Sequence, residues 1–415
     1  MAGRTGSGRR GDGPRRGIGL ALALTAGAVA GLALLGTAAA LSVATARSFV
    51  IWPRRRPDDI PILRVDSERG LIVLGRTEDS AVPGRYGLWF EQDSGYARIG
   101  QVVAEHGGTV TRALLGVDLG EISGARRGRM SGWFYRHPRE LGLPYRGIEV
   151  ATPLGYAPAW HLPVAVDEGG APVPNRRWAV VVHGHGVVRA EGLRAVAPFH
   201  AEGLDVLLIS FRNDGEAPPS PDQRTSLGDR EWADVEAAMD AALGLGAEEL
   251  VLMGFSLGGA TVLQTATRAR GRDRVVGLVL DSPVIDWVTT LDAIGADYRM
   301  PLLVREGAFL LARVRWGRRL TGLDVPIDWG RMDFVARARE LRTPILLMHS
   351  DDDGYVPPGP SQALAAARPD IVRFDRWSQA RHAKLWNYDP ERWEASIRGF
   401  LSGLGAGAQR SRRRA

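Results

Sequence analysis

The chain has 415 residues, 45% hydrophobic and 24% charged, which suits a large folded core and excludes a disordered polymer. With no cysteine it excludes disulfides, thiolate nucleophiles and Cys-ligated metals. The net charge of +6 is confined to the flanks: residues 1–17, 47–56 and 410–415 each carry +4, which leaves the rest near −6 and gives no basis for a nucleic-acid partner.

Residues 1–17 form a basic tail with Arg4, Arg9, Arg10, Arg15 and Arg16. The segment from Ile18 to Ala46 is apolar and uncharged. It is longer than the ~20 residues that cross a bilayer and than the ~7–15-residue core of a secretory signal. It therefore reads as a retained transmembrane helix over residues 18–46. Ala44-Thr45-Ala46 resembles a small-residue cleavage site, which would instead make the run a removed signal. Arginines before the run and Arg47, Arg54, Arg55 and Arg56 after it nearly balance the positive-inside count. The expected arrangement is a single-pass cell-membrane protein with its body outside the cytoplasm. Residues 47–61 read as a charged, proline-containing linker.

Residues 62–132 read as a small β-rich module. Leu63–Val65, Gly70–Arg76, Arg85–Glu91, Gly100–Ala104 and Val110–Leu114 have strand character, separated by Pro83-Gly84, Asp93-Ser94-Gly95 and Gly107-Gly108. Gly120–Gly132 reads as a Gly/Arg-rich connector, and Trp133-Phe134-Tyr135 as a buried cluster. The module is expected to act as a lid or packing extension without chemistry of its own.

From Tyr145 strands and helices alternate. Candidate strands are Gly147–Thr152, Trp160–Val166, Trp178–His183, Asp205–Ser210, Glu249–Gly254, Val275–Asp281, Pro344–His349 and Ile371–Asp375. Arg230–Leu245 and Ala260–Arg268 have helical character, as does Pro390–Leu401. Near-continuous apolar strands predict an α/β domain over 133–404, with a mostly parallel sheet covered on both faces and an antiparallel hairpin at its first edge. The interval at about 285–341, including apolar Ile294–Arg313, is expected to form a helical cap. Residues 405–415 read as a basic disordered tail.

The chemistry centres on Gly254-Phe255-Ser256-Leu257-Gly258, between the apolar run Leu250–Met253 and the helix opened by Gly259-Ala260. Strand, sharp turn and helix with a serine at the apex is the context in which G-x-S-x-G presents a nucleophile. Gly254 and Gly258 supply room for the turn. A serine hydroxyl needs a base and a group that orients the base, and with this elbow the partners follow in the order acid, then histidine. Of eight histidines only His349 and His382 follow Ser256. His349 ends a strand; His382 sits in the polar loop Ser378–His382 and is the candidate base. Asp351, Asp352 and Asp353 follow a strand, where open α/β sheets place their sites. Asp353 is the candidate acid, with Asp352 and Asp281 as alternatives. Leu257 N–H and His185 N–H, the latter in His183-Gly184-His185-Gly186, are candidate oxyanion donors. A metal site at those histidines lacks a third ligand at suitable spacing.

HGHG at 183–186, GFSLGG at 254–259, HSDDDGYVP at 349–357 and RHAKLWN at 381–387 stand in the order found in serine hydrolases of the α/β-hydrolase superfamily, which residues 145–404 therefore resemble. Arg212-Asn213-Asp214-Gly215 and Gly228–Trp232 are similar to the monoacylglycerol-lipase-like and prolyl-oligopeptidase-like branch. The resemblance implies the fold, a cofactor-free Ser256–His382–Asp353 triad and an acyl-enzyme. His349-Ser350 departs from the His-Gly of many relatives, and the β module is too short for a peptidase propeller. The expected activity is hydrolysis of carboxylic esters, small or lipid. A serine peptidase or thioesterase, and a non-catalytic anchored scaffold, are the alternatives.

Overall fold

The computed structural model describes residues 13–51 and 56–412; the tail at 1–12, Arg54 and Arg55 of the linker, and residues 413–415 lie outside the described residues. The apolar N-terminal run is one helix, α1 (Gly13–Val50), extending beyond the expected 18–46 at both ends. At its C-terminal end, where the helix dipole favours a cation, Arg47 donates to the Leu320 carbonyl at 2.6 Å.

The β-rich module is a closed barrel of β1 (Ile60–Asp66), β2 (Leu71–Gly75), β3 (Tyr86–Phe90), β4 (Gly95–His106), β5 (Thr109–Leu119) and β6 (Arg127–Ser131), in the order β1-β2-β5-β4-β3-β6. The last strand corrects the reading of 120–132 as a connector. RGRMS has no apolar alternation to announce it, yet its Gly128 pairs with both Ile60 and Phe90 and closes the barrel. A Cβ at Gly128 would lie 2.6 Å from the Trp89 carbonyl oxygen, so the closure needs a glycine there. Ile72, Leu74, Tyr86, Leu88, Phe90 and Ile99 fill the core. Arg112 is fully buried and donates to the carbonyls of Gly100, Ser80, Val82 and Gly84 at 2.8–2.9 Å. Burial pulls its guanidinium down to about 10.

The second sheet has eight strands, all at or near the expected positions: β7 (Arg146–Thr152), β8 (Gly155–Leu162), β9 (Arg177–Val182), β10 (Asp205–Ile209), β11 (Glu249–Phe255), β12 (Val275–Asp281), β13 (Ile345–Ser350) and β14 (Val372–Trp377). Their order is β14-β13-β12-β11-β9-β10-β8-β7. The β7–β8 hairpin is antiparallel and the remaining six strands are parallel to one another. Side chains alternate between two cores. Val180, Val182 and Leu252 face α3 (Trp232–Gly244) and α4 (Leu257–Arg268), whereas Val181, Val251 and Met253 face α2 (Val196–Ala201) and α10 (Pro390–Arg412). Such two-sided burial explains why the strands read as continuous apolar runs. The α10 helix continues to Arg412, so most of the expected disordered tail is helical; its Gly-Ala-Gln-Arg sequence contains no proline to stop it.

The cap holds α5 (Trp287–Asp297), α6 (Leu302–Arg313) and α7 (Arg318–Thr321). Ile294–Arg313 is two helices, broken where Arg299 takes φ 54° and Pro301 precedes α6. After β13 come α8 (Gly359–Ala367) and, beyond β14, α9 (Leu385–Tyr388). Arg112→Met would leave four buried carbonyls without their donor. It is expected to shift the unfolding of the barrel by roughly 3 kcal/mol, read as faster hydrogen exchange in β2–β5 with β9–β13 little changed.

Candidate active site

At the end of β11 the chain turns through Ser256 with φ 50° and ψ −114° and enters α4. A side chain at positive φ is strained, and surrounding bonds must hold it. Ser256 N–H donates to Asp281 O at 3.0 Å, and Ser256 O accepts from Gly259 N–H at 3.0 Å and Val284 N–H at 3.2 Å. Both elbow glycines are sterically required. A Cβ at Gly254 would lie 2.3 Å from Gly258 O, and one at Gly258 would lie 2.3 Å from Val182 O.

His382 Nε2 lies 2.9 Å from Ser256 Oγ, and His382 Nδ1 lies 2.7 Å from Asp353 Oδ2. The other Asp353 oxygen accepts from Tyr355 N–H at 2.9 Å and Val356 N–H at 2.8 Å. Burial alone would raise the Asp353 carboxyl, but His382 and His349 beside it hold it well below the usual carboxylate range. His349 is fully buried between Ser361 Oγ and the Val356 carbonyl and fixes the acid loop, as expected of a strand-end histidine.

The three aspartates have separate environments. Asp351 pairs with Arg376 at the surface. Asp352 accepts from Ala380 and Arg381 N–H at 3.0 and 2.9 Å, which ties the acid loop to the histidine loop. Asp353 alone of the three faces His382. Asp281, the other alternative, is fully buried and accepts from Trp393 Nε1 and Ser282 Oγ; burial raises its carboxyl.

The loop that carries His382 is gripped on two sides, and the residues responsible were not apparent from the sequence. Inside the sheet domain, buried Arg194 donates to Ala383 O at 2.9 Å and Asn387 Oδ1 at 2.8 Å, and Ser282 Oγ accepts from Ala383 N–H at 3.0 Å. From the barrel, Glu78 accepts from Arg381 at 2.6 Å and Asp79 from Lys384 at 2.7 Å. Burial would raise the Asp79 carboxyl, but Lys384 and then Arg381 bring it below its ordinary value. Arg85 N–H bonds Asn387 O at 2.9 Å, with Gly84 close against the same carbonyl. The barrel thus abuts the histidine loop directly. Partners some 300 residues apart leave no local pattern, so no motif could have revealed them.

Beside Ser256 lies a cavity of about 150 Å³ lined by His185, Leu227, Trp287, Leu291, Ile294 and Tyr355, among others. Gly184 lies against the elbow, where its Cβ would contact Ser256 Cβ at 3.5 Å, and its N–H donates to Glu191 at 2.7 Å. His183 is held by Asp214 at 3.2 Å and stacks on Phe211, which leaves His185 as the pocket-facing histidine of the pair. Burial, with Arg56 and His183 nearby, pushes the His185 imidazole down to about 3, so at neutral pH it lines the pocket uncharged. Arg56 also donates to the His185 carbonyl. The N-terminal helix supplies part of the wall: Ser48 and Phe49, in the last turn of α1, line the cavity. Phe49 meets Phe309 of α6 with the rings tilted and their centroids 5.7 Å apart.

The model of the alpha/beta hydrolase family matches residues 179–396, just over half of the chain. A domain of unknown function (DUF8805) matches residues 61–131, the bounds of the barrel. No curated protein matches the chain. Among solved structures, an esterase of Pyrococcus furiosus is similar at 16% identity, covering 64% of this chain and 94% of that one with a TM-score of 0.48. A thermophilic esterase of Thermogutta terrifontis matches at 20% identity, 62% and 99% coverage and TM-score 0.43. A monoacylglycerol lipase of Paleococcus ferrophilus matches at 19% identity, 56% and 96% coverage and TM-score 0.38.

Asp79→Ala removes the acceptor of Lys384 and part of the grip on Arg381. It is expected to speed hydrogen exchange across residues 380–385 by about tenfold while leaving the Ser256 turn unchanged, as read by peptide mass spectrometry.

Proposed function

Because the chain belongs to the alpha/beta hydrolase family, we propose that it is a membrane-anchored serine hydrolase of carboxylic esters. The observation that carries this reading is the unbroken hydrogen-bonded line from Ser256 Oγ through His382 to Asp353. In this mechanism His382 Nε2 takes the Ser256 proton as Oγ attacks the ester carbonyl, and Asp353 holds the imidazole in the required tautomer and stabilises its charged form. Leu257 and His185 N–H groups receive the oxyanion, aided by the positive end of α4. The proton on His382 passes to the departing alcohol. Water, deprotonated by the same imidazole, then releases the acid from the acyl-enzyme. The apolar lining favours an ester with a hydrocarbon acyl group.

The helix α1 acts as a retained anchor in this account. Ser42, Thr45, Ala46 and Val50 are buried in its last turns, and Ala46 packs against Ala308 and Leu311 of the cap. Removal of residues 1–46 as a signal would strip that packing. The chain is accordingly assigned an anchor (18–46) that α1 continues to the pocket wall, a β module (60–131) that steadies the histidine loop, and a catalytic domain (133–404) with its cap at about 285–341. In this reading the anchor holds the chain in the cell membrane as a single-pass protein with the catalytic domain outside the cytoplasm.

p-Nitrophenyl esters test the reading. Ser256→Ala and His382→Ala are each expected to lower kcat by about 10⁴-fold or more, and Asp353→Asn by about 10⁴-fold. Asp352→Asn, which only loosens the loop, should lose no more than about 10²-fold. Equal losses for the two aspartates would reject Asp353 as the orienting acid. Turnover of thioesters or peptides above that of esters would replace the substrate class while keeping the machinery. Phe49→Ala should move the preferred acyl chain about two to four carbons longer, whereas an unchanged preference would remove α1 from the pocket.

A further inference from the structure

The cap helix α6 has two unlike faces. Val304, Ala308 and Leu311 are buried, whereas Leu302, Leu303 and Leu310 are 59%, 76% and 53% exposed. Leu303 and Leu310 stand two turns apart, so they form one stripe, with Leu302 and the exposed Glu306 beside it. Just past the helix Trp316 is 60% exposed, flanked by exposed Arg313, Arg315, Arg318 and Arg319. Exposed leucines along the helix, followed at once by an exposed tryptophan among arginines, give the composition of a segment that lies in a bilayer surface.

Its position agrees with that chemistry. Leu32, Leu34 and Leu35 of α1 are 66–71% exposed, and burial begins at Ser42. There α1 meets α6 closely enough that a Cβ on Gly307 would lie 2.4 Å from Ser42 Oγ. At about 1.5 Å per residue the uncharged stretch from Ile18 to Leu41 spans roughly 36 Å, enough for the ~30 Å hydrocarbon core of a bilayer. The point where α1 would leave the membrane is therefore the level of α6. The cavity beside Ser256 reaches the same place. Met300 and the 75% exposed Tyr298, both just before α6, line it together with Phe49 of α1.

We propose that α6 and the segment through Arg319 rest in the surface of the bilayer that α1 spans, with the arginines meeting anionic headgroups, and that the pocket draws long-chain lipid esters from that bilayer between α1 and Tyr298. The inference rests on α1 being a retained span and on Ser256 being the nucleophile. An acyl chain taken by this route passes from lipid to pocket without crossing bulk water.

The test uses the full chain in nanodiscs of phosphatidylcholine with about one-third phosphatidylglycerol. Because the chain has no cysteine, single substitutions place an environment-sensitive fluorophore at one site: Leu303→Cys and Leu310→Cys in the stripe, Leu32→Cys in the span, and Leu245→Cys at the opposite end of the sheet. Blue-shifted emission and quenching by spin-labelled lipid at positions 303, 310 and 32, but not 245, is the expected result. Quenching at 32 alone would overturn bilayer contact by the cap and leave the span intact. No quenching at 32 would overturn the span and this inference with it. A second arm measures turnover. The double variant Leu303→Glu, Leu310→Glu should keep p-nitrophenyl acetate hydrolysis within about twofold and lose about tenfold or more on a long-chain monoacylglycerol in the disc. Equal loss on both esters, or loss on neither, would overturn lipid delivery by the cap. Loss of p-nitrophenyl acetate turnover in Ser256→Ala separates this outcome from failure of the hydrolase reading itself.

Discussion

An imidazole on an irregular loop must stand within hydrogen-bond reach of a serine at the end of a strand and of an aspartate at the end of another. That three-point constraint organises much of the molecule. Strand order brings β11, β12 and β13 side by side, so the ends bearing Ser256 and Asp353 open at the same edge of the sheet. The histidine has no such rail. Its position comes from Arg194, Ser282 and Asp352 within the domain and from Glu78 and Asp79 of the barrel. Each interaction is modest alone; together they restrict a loop whose Arg381 and Ala383, on either side of His382, both have positive φ.

The barrel therefore looks less like an accessory than like a brace. Its core is tied by Arg112, three of whose four carbonyl partners lie in the segment Ser80–Gly84, and that segment with the adjoining Asp79 lies against the histidine loop. A buried cation without a carboxylate partner is a costly way to fix a turn. Here the turn it fixes contacts the site. On the far side, α1 and the cap close the pocket, so the cavity beside Ser256 is built from the N-terminal helix, the cap and the sheet edge together.

What could be read from the sequence follows from the range of the interactions. The eight strands of the sheet, the elbow at Ser256 and the order of His382 after Asp353 are written in local patterns: apolar runs, two glycines around a serine, and polar loops at strand ends. Sorting Asp351, Asp352 and Asp353 needed their side-chain directions, which spacing cannot supply. The sixth barrel strand lacks alternation because Gly128 is there for close approach rather than packing. The ion pairs from Glu78 and Asp79 to Arg381 and Lys384, and the seat of Phe49 in the pocket, join distant segments and have no local signature. The apolar length of α1 was legible, but its packing against the cap was not.

The proposed hydrolysis depends on Ser256 being made nucleophilic by His382. The most direct measurement is mass mapping of the full-length chain in detergent after exposure to a fluorophosphonate. One adduct is expected, on Ser256, and none in the His382→Ala variant. A folded chain that takes up no phosphonate, or that carries it on another residue, would contradict the proposal.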